Sequence, residues 1–121
     1  YAWQTFLKQG TVIAAGSDFP VESPNPFHGL YAAVTRQDRD GKPPGGWIPE
    51  QRLTLEQAFR AFTLDAAYAA QQEDSLGSLE KGKWADFILV DRDIFAVPPE
   101  QLRETRVLKT FMAGKQVYAA E

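Results

Sequence analysis

The sequence predicts an α/β fold whose character changes near Gln72. The short β-branched apolar run at residues 11–13 predicts a buried strand. Apolar residues at helical spacing between positions 55 and 69 predict an amphipathic helix. Beyond that helix the pattern becomes one of short strands and turns. We therefore divide the chain into an N-terminal part over residues 1–72 and a strand-rich part over residues 73–121.

The first elements read as a helix, a tight turn and a strand. Trp3, Phe6 and Leu7 share one helical face, and Gly10 suits the left-handed position that ends a helix. The predicted strand follows over residues 11–15. The chain begins within an amphipathic pattern and without Met, so we expect it to be a piece of a longer polypeptide.

A second helix is predicted over residues 27–36. Asn25 is a good N-cap and Pro26 a good first helical residue. Residues 38–49 then carry three prolines and three glycines and predict a long surface loop. A loop of this length often borders an active site.

The third helix has the clearest sequence signals in the chain. Thr54 and Gln57 match a capping box, and the apolar stripe runs on to a predicted end near Ala70. The strand-rich part is predicted to contain a strand at 87–90, a helical turn at 100–103, and strands at 106–112 and 115–118 around a hairpin at Ala113-Gly114.

Composition excludes several classes of function. The formal net charge is −3 and no Lys/Arg cluster occurs, so we expect no nucleic-acid or membrane partner. No apolar run approaches the roughly 20 residues of a membrane helix. The absence of Cys excludes disulfides and thiolate metal sites, and it fits a reducing compartment. We expect a cytoplasmic protein.

Asp18 is the main candidate for chemistry. It follows the predicted strand, and α/β proteins collect catalytic side chains just beyond the carboxyl ends of their strands. A metal ligand or a general base is one interpretation. An N-cap or a turn stabilised by the aspartate side chain is the other, and spacing alone leaves both open.

Other polar residues carry weaker signals. His28 is the single histidine, which cannot build a zinc site alone, and we interpret it as a surface or packing residue. Arg36 ends the second helix, where its charge is favourable, and a contact with a substrate anion is the weaker alternative. Solvated surface charge is the better interpretation of three acidic residues: Glu22, Asp38 and Asp40. Ser17 has no identifiable histidine base, and no phosphate-binding loop motif occurs.

Four features of the sequence, in order, resemble the YtcJ-like group of the amidohydrolase superfamily. Residues 16–22 and 32–36 are similar to its last barrel strand and the loop beyond it. The remaining similarities are the last barrel helix at 53–58, the return into a β-sandwich at 77–87, and the closing hairpin at 113–118.

The resemblance implies a fold and a reaction. The fold would be the C-terminal portion of a distorted (β/α)8 barrel, followed by strands of a small composite β-sandwich. The reaction would be hydrolysis of a non-peptide C–N bond in a small-molecule substrate, by water activated on one or two divalent metals, usually zinc. Asp18 matches the family's last-strand aspartate, which ligates metal and carries a proton from the attacking water to the leaving nitrogen.

The family's metal-binding histidines have no match in this sequence. We therefore expect the isolated chain to be inactive, to bind no stoichiometric zinc, and to self-associate through unpaired strand edges and apolar helix faces. A freestanding, non-catalytic binding module derived from the same fold is the alternative.

Overall fold

The structure is a computed structural model that describes residues 1–121. The chain forms four helices, two 3₁₀ helices and a three-stranded antiparallel sheet of order β1-β2-β3. The helices are α1 (Trp3–Lys8), α2 (Pro26–Thr35), α3 (Leu55–Phe62) and α4 (Leu64–Ala69), with 3₁₀ helices at Pro49–Gln51 and Pro99–Glu104; the strands are β1 (Phe87–Val90), β2 (Val107–Met112) and β3 (Lys115–Ala119). None of the helices has the length and apolar character needed to cross a membrane.

Helix α2 begins where the sequence predicts. The Asn25 side chain accepts a hydrogen bond of 3.0 Å from the backbone N–H of Phe27, and Pro26 occupies the first turn. The helix ends at Arg36, which adopts the left-handed conformation with φ 60°. The predicted cap and both boundaries are therefore confirmed to within one residue.

The prediction of one long third helix is wrong, because the chain breaks at Thr63 into α3 and α4. Thr63 has φ −126° and ψ −90°, and its hydroxyl donates to the Phe59 carbonyl at 2.8 Å. Gly77 packs closely against the chain at the same position, since a Cβ on residue 77 would lie 2.9 Å from the Leu64 Cα. The break lets the two helices turn around this close approach.

The prediction of a buried strand at residues 11–15 is also wrong for this structure. The segment takes part in no strand ladder, and Val12 is half exposed. Its attachment is a backbone hydrogen bond of 2.9 Å from the Ala15 N–H to the Ala61 carbonyl in α3. A strand needs a neighbouring strand to pair with, and no other strand of this chain lies beside the segment.

The predicted strands and hairpin of the C-terminal part are confirmed. Strands β2 and β3 pair antiparallel around Ala113 and Gly114, whose φ values of 50° and 76° match a type I′ turn. Phe87 and Phe111 stack across β1 and β2 with ring centroids 4.5 Å apart. Such cross-strand aromatic pairs fix the register of a sheet.

The core is a single cluster to which both predicted parts contribute. Leu102 of the second 3₁₀ helix is 1% exposed, and this helix packs against α2. The predicted boundary near residue 72 remains a prediction. The buried members of the cluster are Phe27, Leu30, Tyr31, Ala33, Leu53, Ala58, Ile94 and Leu102.

The Asp91 side chain links the end of β1 to the start of β2 through hydrogen bonds. Its carboxylate accepts two hydrogen bonds of 3.0 Å from the Arg92 guanidinium and one of 3.0 Å from the Arg106 N–H. These bonds favour the ionised carboxylate, and they lower the pKa of Asp91 to about 2.

The stability of Asp91→Asn is expected to fall less on acidification than the stability of the wild type. The lowered folded-state pKa makes Asp91 stabilising above its ordinary pKa of 3.8, and this contribution is lost as the pH falls through about 2. The urea midpoint of the wild type should therefore drop more steeply than that of Asp91→Asn as the pH falls from 3.8 to about 2. Asp74→Asn, at an exposed aspartate with no hydrogen bond, is the control. Equal slopes for wild type and Asp91→Asn would contradict the assignment.

Candidate active site

Asp18 lies in an exposed turn with an uncommon backbone conformation. Its φ is 51°, in the left-handed region, and its carbonyl accepts a hydrogen bond of 2.8 Å from the Val21 N–H. Aspartate and asparagine tolerate this region better than most residues. The backbone conformation of the turn is therefore one reason for an Asp at this position.

The Asp18 carboxylate makes no hydrogen bond and no ion pair within the chain. A side-chain turn or an N-cap would require it to accept a backbone N–H, and the cap of α2 is instead Asn25. The side chain therefore caps neither this turn nor α2 in the structure. The carboxylate is free to act on a ligand.

Asp18 faces a cavity of about 730 Å³. Segment 13–18, helix α2 and the loop residues 37–39 form its walls, and Trp3 lies at one side. The volume is in the range of small-molecule sites, which are mainly apolar with a few converging polar groups. The polar side chains on its walls are Ser17, Asp18, Glu22, Ser23, Asn25, His28, Gln37, Asp38, Arg39 and Arg103.

The other acidic residues near the cavity have partners of their own. Glu22 pairs with Arg39 at 3.6 Å, and both side chains are exposed, so the pair adds little stability. Asp38 accepts the N–H groups of Lys42 and Asp40, and the Lys42 bond is the main reason that the pKa of Asp38 lies below its usual value. No three His, Asp or Glu residues come together in a way that could hold a metal ion.

Arg36 is a structural residue. It is 9% exposed, and its guanidinium carbon lies 4.6 Å from the centroid of the Trp3 ring. Its Nε donates to the Trp47 carbonyl at 2.9 Å, and its own carbonyl accepts the Trp47 N–H at 2.8 Å. Arg36 is absent from the cavity walls, so the substrate-anion interpretation is not supported by its position.

The loop beyond α2 is held firmly as a cavity wall. The Gln37 amide donates to the carbonyls of Gly41 and Pro43 at 2.9 and 3.1 Å, and its oxygen accepts the Tyr31 hydroxyl at 3.1 Å. Gly46 has φ 83°, and a Cβ there would lie 2.2 Å from the Thr35 carbonyl oxygen, which leaves room for glycine alone.

Two cavity residues were missed by the sequence argument. Arg103 reaches the wall from the C-terminal part, where it faces the Tyr31 ring at 5.0 Å and donates to the Arg39 carbonyl. A contact between residues so distant along the chain has no local sequence signal. His28, interpreted above as a surface or packing residue, lines the cavity, and its Nδ1 is enclosed without a hydrogen-bond partner. Its position in the first turn of the helix after the Asn25 cap was the only available signal.

Comparison with known proteins identifies the family. A family model described as "Amidohydrolase family" matches residues 1–118. The chain belongs to the Amidohydrolase family. The resemblance inferred from the four sequence features is therefore confirmed.

Curated relatives in the Amidohydrolase family match nearly the whole chain. Protein LONG AFTER FAR-RED 3 of Arabidopsis thaliana is 36% identical over 98% of this chain and 20% of its own length. Putative amidohydrolase YtcJ of Bacillus subtilis is 31% identical over 98% of this chain and 22% of its own length. N-substituted formamide deformylase of Arthrobacter pascens is 31% identical over 92% of this chain and 20% of its own length. The chain thus spans about a fifth of the length of these relatives.

Solved structures support the same fold. An amidohydrolase from Thermotoga maritima superposes with a TM-score of 0.69 at 21% identity, over 97% of this chain and 25% of that one. Guanine deaminase from Escherichia coli superposes with a TM-score of 0.70 at 18% identity, over 98% of this chain and 30% of that one. These superpositions show that the α/β piece is an amidohydrolase-type fold.

Proposed function

We propose that the chain is the C-terminal portion of a hydrolase that cleaves a non-peptide C–N bond in a small molecule. The observation that carries this proposal is the free carboxylate of Asp18 on the wall of a small-molecule-sized cavity, in a chain of the Amidohydrolase family. The name N-substituted formamide deformylase of one relative supports an amide-type bond as the substrate.

Within this proposal Asp18 transfers protons. Its carboxylate takes a proton from the attacking water and passes it to the leaving nitrogen, which must be protonated before it can depart as an amine. One carboxylate can perform both transfers if it lies beside the water and the scissile bond throughout. The absence of competing hydrogen bonds within the chain leaves both of its oxygens available for this task.

The residues of this chain do not by themselves form a metal centre. Asp18 could supply one oxygen ligand, but a catalytic zinc site takes three protein ligands, and no group of three or more His, Asp or Glu residues converges here. We propose that a divalent metal, zinc in the usual case, is held mainly by residues of a longer polypeptide. The 121-residue chain alone is then inactive.

The wider fold is part of the same proposal. Residues 11–15 would pair as a barrel strand with strands of the longer polypeptide, which would account for their apolar sequence and their present lack of partners. The three-stranded sheet would form part of a composite β-sandwich.

A non-catalytic binding module is the second candidate. Asp18 has no further metal ligands of this chain beside it, and this favours the binding module. An amidohydrolase fold without those ligands could still bind a small molecule in the cavity. Such a module would bind its ligand as the 121-residue chain and would hydrolyse nothing.

Metal analysis and hydrolysis assays on the 121-residue chain and on the full-length polypeptide distinguish the two. N-substituted formamides and cyclic amides are the first substrates to test. We expect the full-length protein to hold a divalent metal and to release amine, and the 121-residue chain to do neither. A full-length protein that holds no metal and cleaves none of these amides would favour the binding module.

A further inference from the structure

The two ring nitrogens of His28 have different surroundings. His28 lies in the first turn of α2 and on the wall of the cavity that Asp18 faces. Its Nδ1 is enclosed by the protein and has no hydrogen-bond partner. Its Nε2 also forms no hydrogen bond within the chain, but it is not enclosed. The ring is half-buried, so the accessible edge is the one that carries Nε2.

This asymmetry assigns the proton of the neutral ring. A neutral imidazole carries one N–H and one bare nitrogen. Enclosed backbone N–H groups without an acceptor are rarer in proteins than enclosed carbonyls without a donor, and we apply the same preference to the ring nitrogens. The proton is therefore assigned to Nε2, where a partner can reach it. His28, on the cavity wall, then carries a hydrogen-bond donor at its accessible edge.

We infer that His28 is a substrate-binding residue, whose Nε2–H donates a hydrogen bond to an acceptor atom of the substrate. This inference rests on the function proposed above and adds a requirement to it: the substrate carries an acceptor, such as a carbonyl or carboxylate oxygen, within reach of the first turn of α2.

Two substitutions in the full-length protein distinguish a donor at the Nε2 position from a donor at the Nδ1 position. The amide of His28→Gln reaches the position of Nε2 and keeps a donor there, whereas the shorter amide of His28→Asn reaches only the position of Nδ1. We expect His28→Gln to retain kcat/KM within about threefold, and His28→Asn to lose about tenfold, the usual size of one neutral hydrogen bond. The loss should lie mainly in KM, because the bond holds the ground state and the transition state alike. Equal kcat/KM for the two variants would overturn the inference, as would a loss of stability in His28→Asn with KM unchanged.

The tautomer gives a readout that does not depend on hydrolysis. His28 is the single histidine of the 121-residue chain, so its ring nitrogens can be assigned in ¹⁵N NMR spectra without ambiguity. We expect the neutral form to carry its proton on Nε2, and a proton on Nδ1 would overturn the inference. If the full-length protein cleaves no amide and holds no metal, the proposed function fails, and the tautomer still decides the assignment of the His28 donor.

Discussion

Asp18→Asn in the full-length protein is expected to lower kcat by about 10²–10⁴-fold, the usual contribution of a positioned acid–base group. The amide of asparagine cannot take a proton from water or return one to the leaving nitrogen. Asparagine also tolerates the left-handed conformation that residue 18 adopts, with φ 51°. The substitution therefore removes the carboxylate without adding backbone strain. Alanine at this position would add such strain.

Two controls make the Asp18→Asn result specific. Asp74→Asn makes the same chemical change at an exposed aspartate outside the cavity, and its kcat should match the wild type. The urea midpoint of Asp18→Asn should equal that of the wild type, because the carboxylate makes no contact that folding depends on. A kcat for Asp18→Asn within a few-fold of the wild type would remove Asp18 from the mechanism.

Leu102→Ala is expected to destabilise the 121-residue chain by about 2–5 kcal/mol, the range measured for buried leucines. Leu102 is 1% exposed, and its 3₁₀ helix packs against α2. The substitution leaves a void between the C-terminal part and the helix that carries His28. Neighbouring Arg103 also belongs to the cavity wall, so the loss should reach the site as well as the core.

Leu79→Ala is the matched control for this core prediction. Leu79 is 71% exposed, and the same truncation there should change the free energy of unfolding by about 0.5 kcal/mol or less. Urea denaturation followed by tryptophan fluorescence measures both variants. Similar small losses for the two leucines would show that Leu102 is not part of a shared core.

Local signals in the sequence were sufficient for elements whose causes are local. The Asn25 cap, the Thr54 capping box and the Ala113-Gly114 hairpin each depend on residues within a few positions of one another, and each is confirmed. The break at Thr63 depends instead on Gly77, fourteen positions away, whose backbone packs against the start of α4. Periodicity alone could not predict it, since the apolar stripe continues through the break.

The candidate site was predictable only in part. Asp18 could be singled out because a carboxylate directly after an apolar run is a local pattern. The strand before it was predicted from the same pattern, yet pairing requires neighbours that this chain does not contain. The positions of His28 and Arg103 on the cavity wall depend on which faces meet, and this emerges only from tertiary packing.

The central claim is that Asp18 is the carboxylate that this chain contributes to a metal-dependent site completed by other residues. Zinc analysis of the 121-residue chain after zinc loading and desalting tests it most directly, with the full-length protein measured in parallel. We predict no stoichiometric zinc in the 121-residue chain and a tightly held metal in the full-length protein. One tightly held zinc per 121-residue chain would contradict the claim.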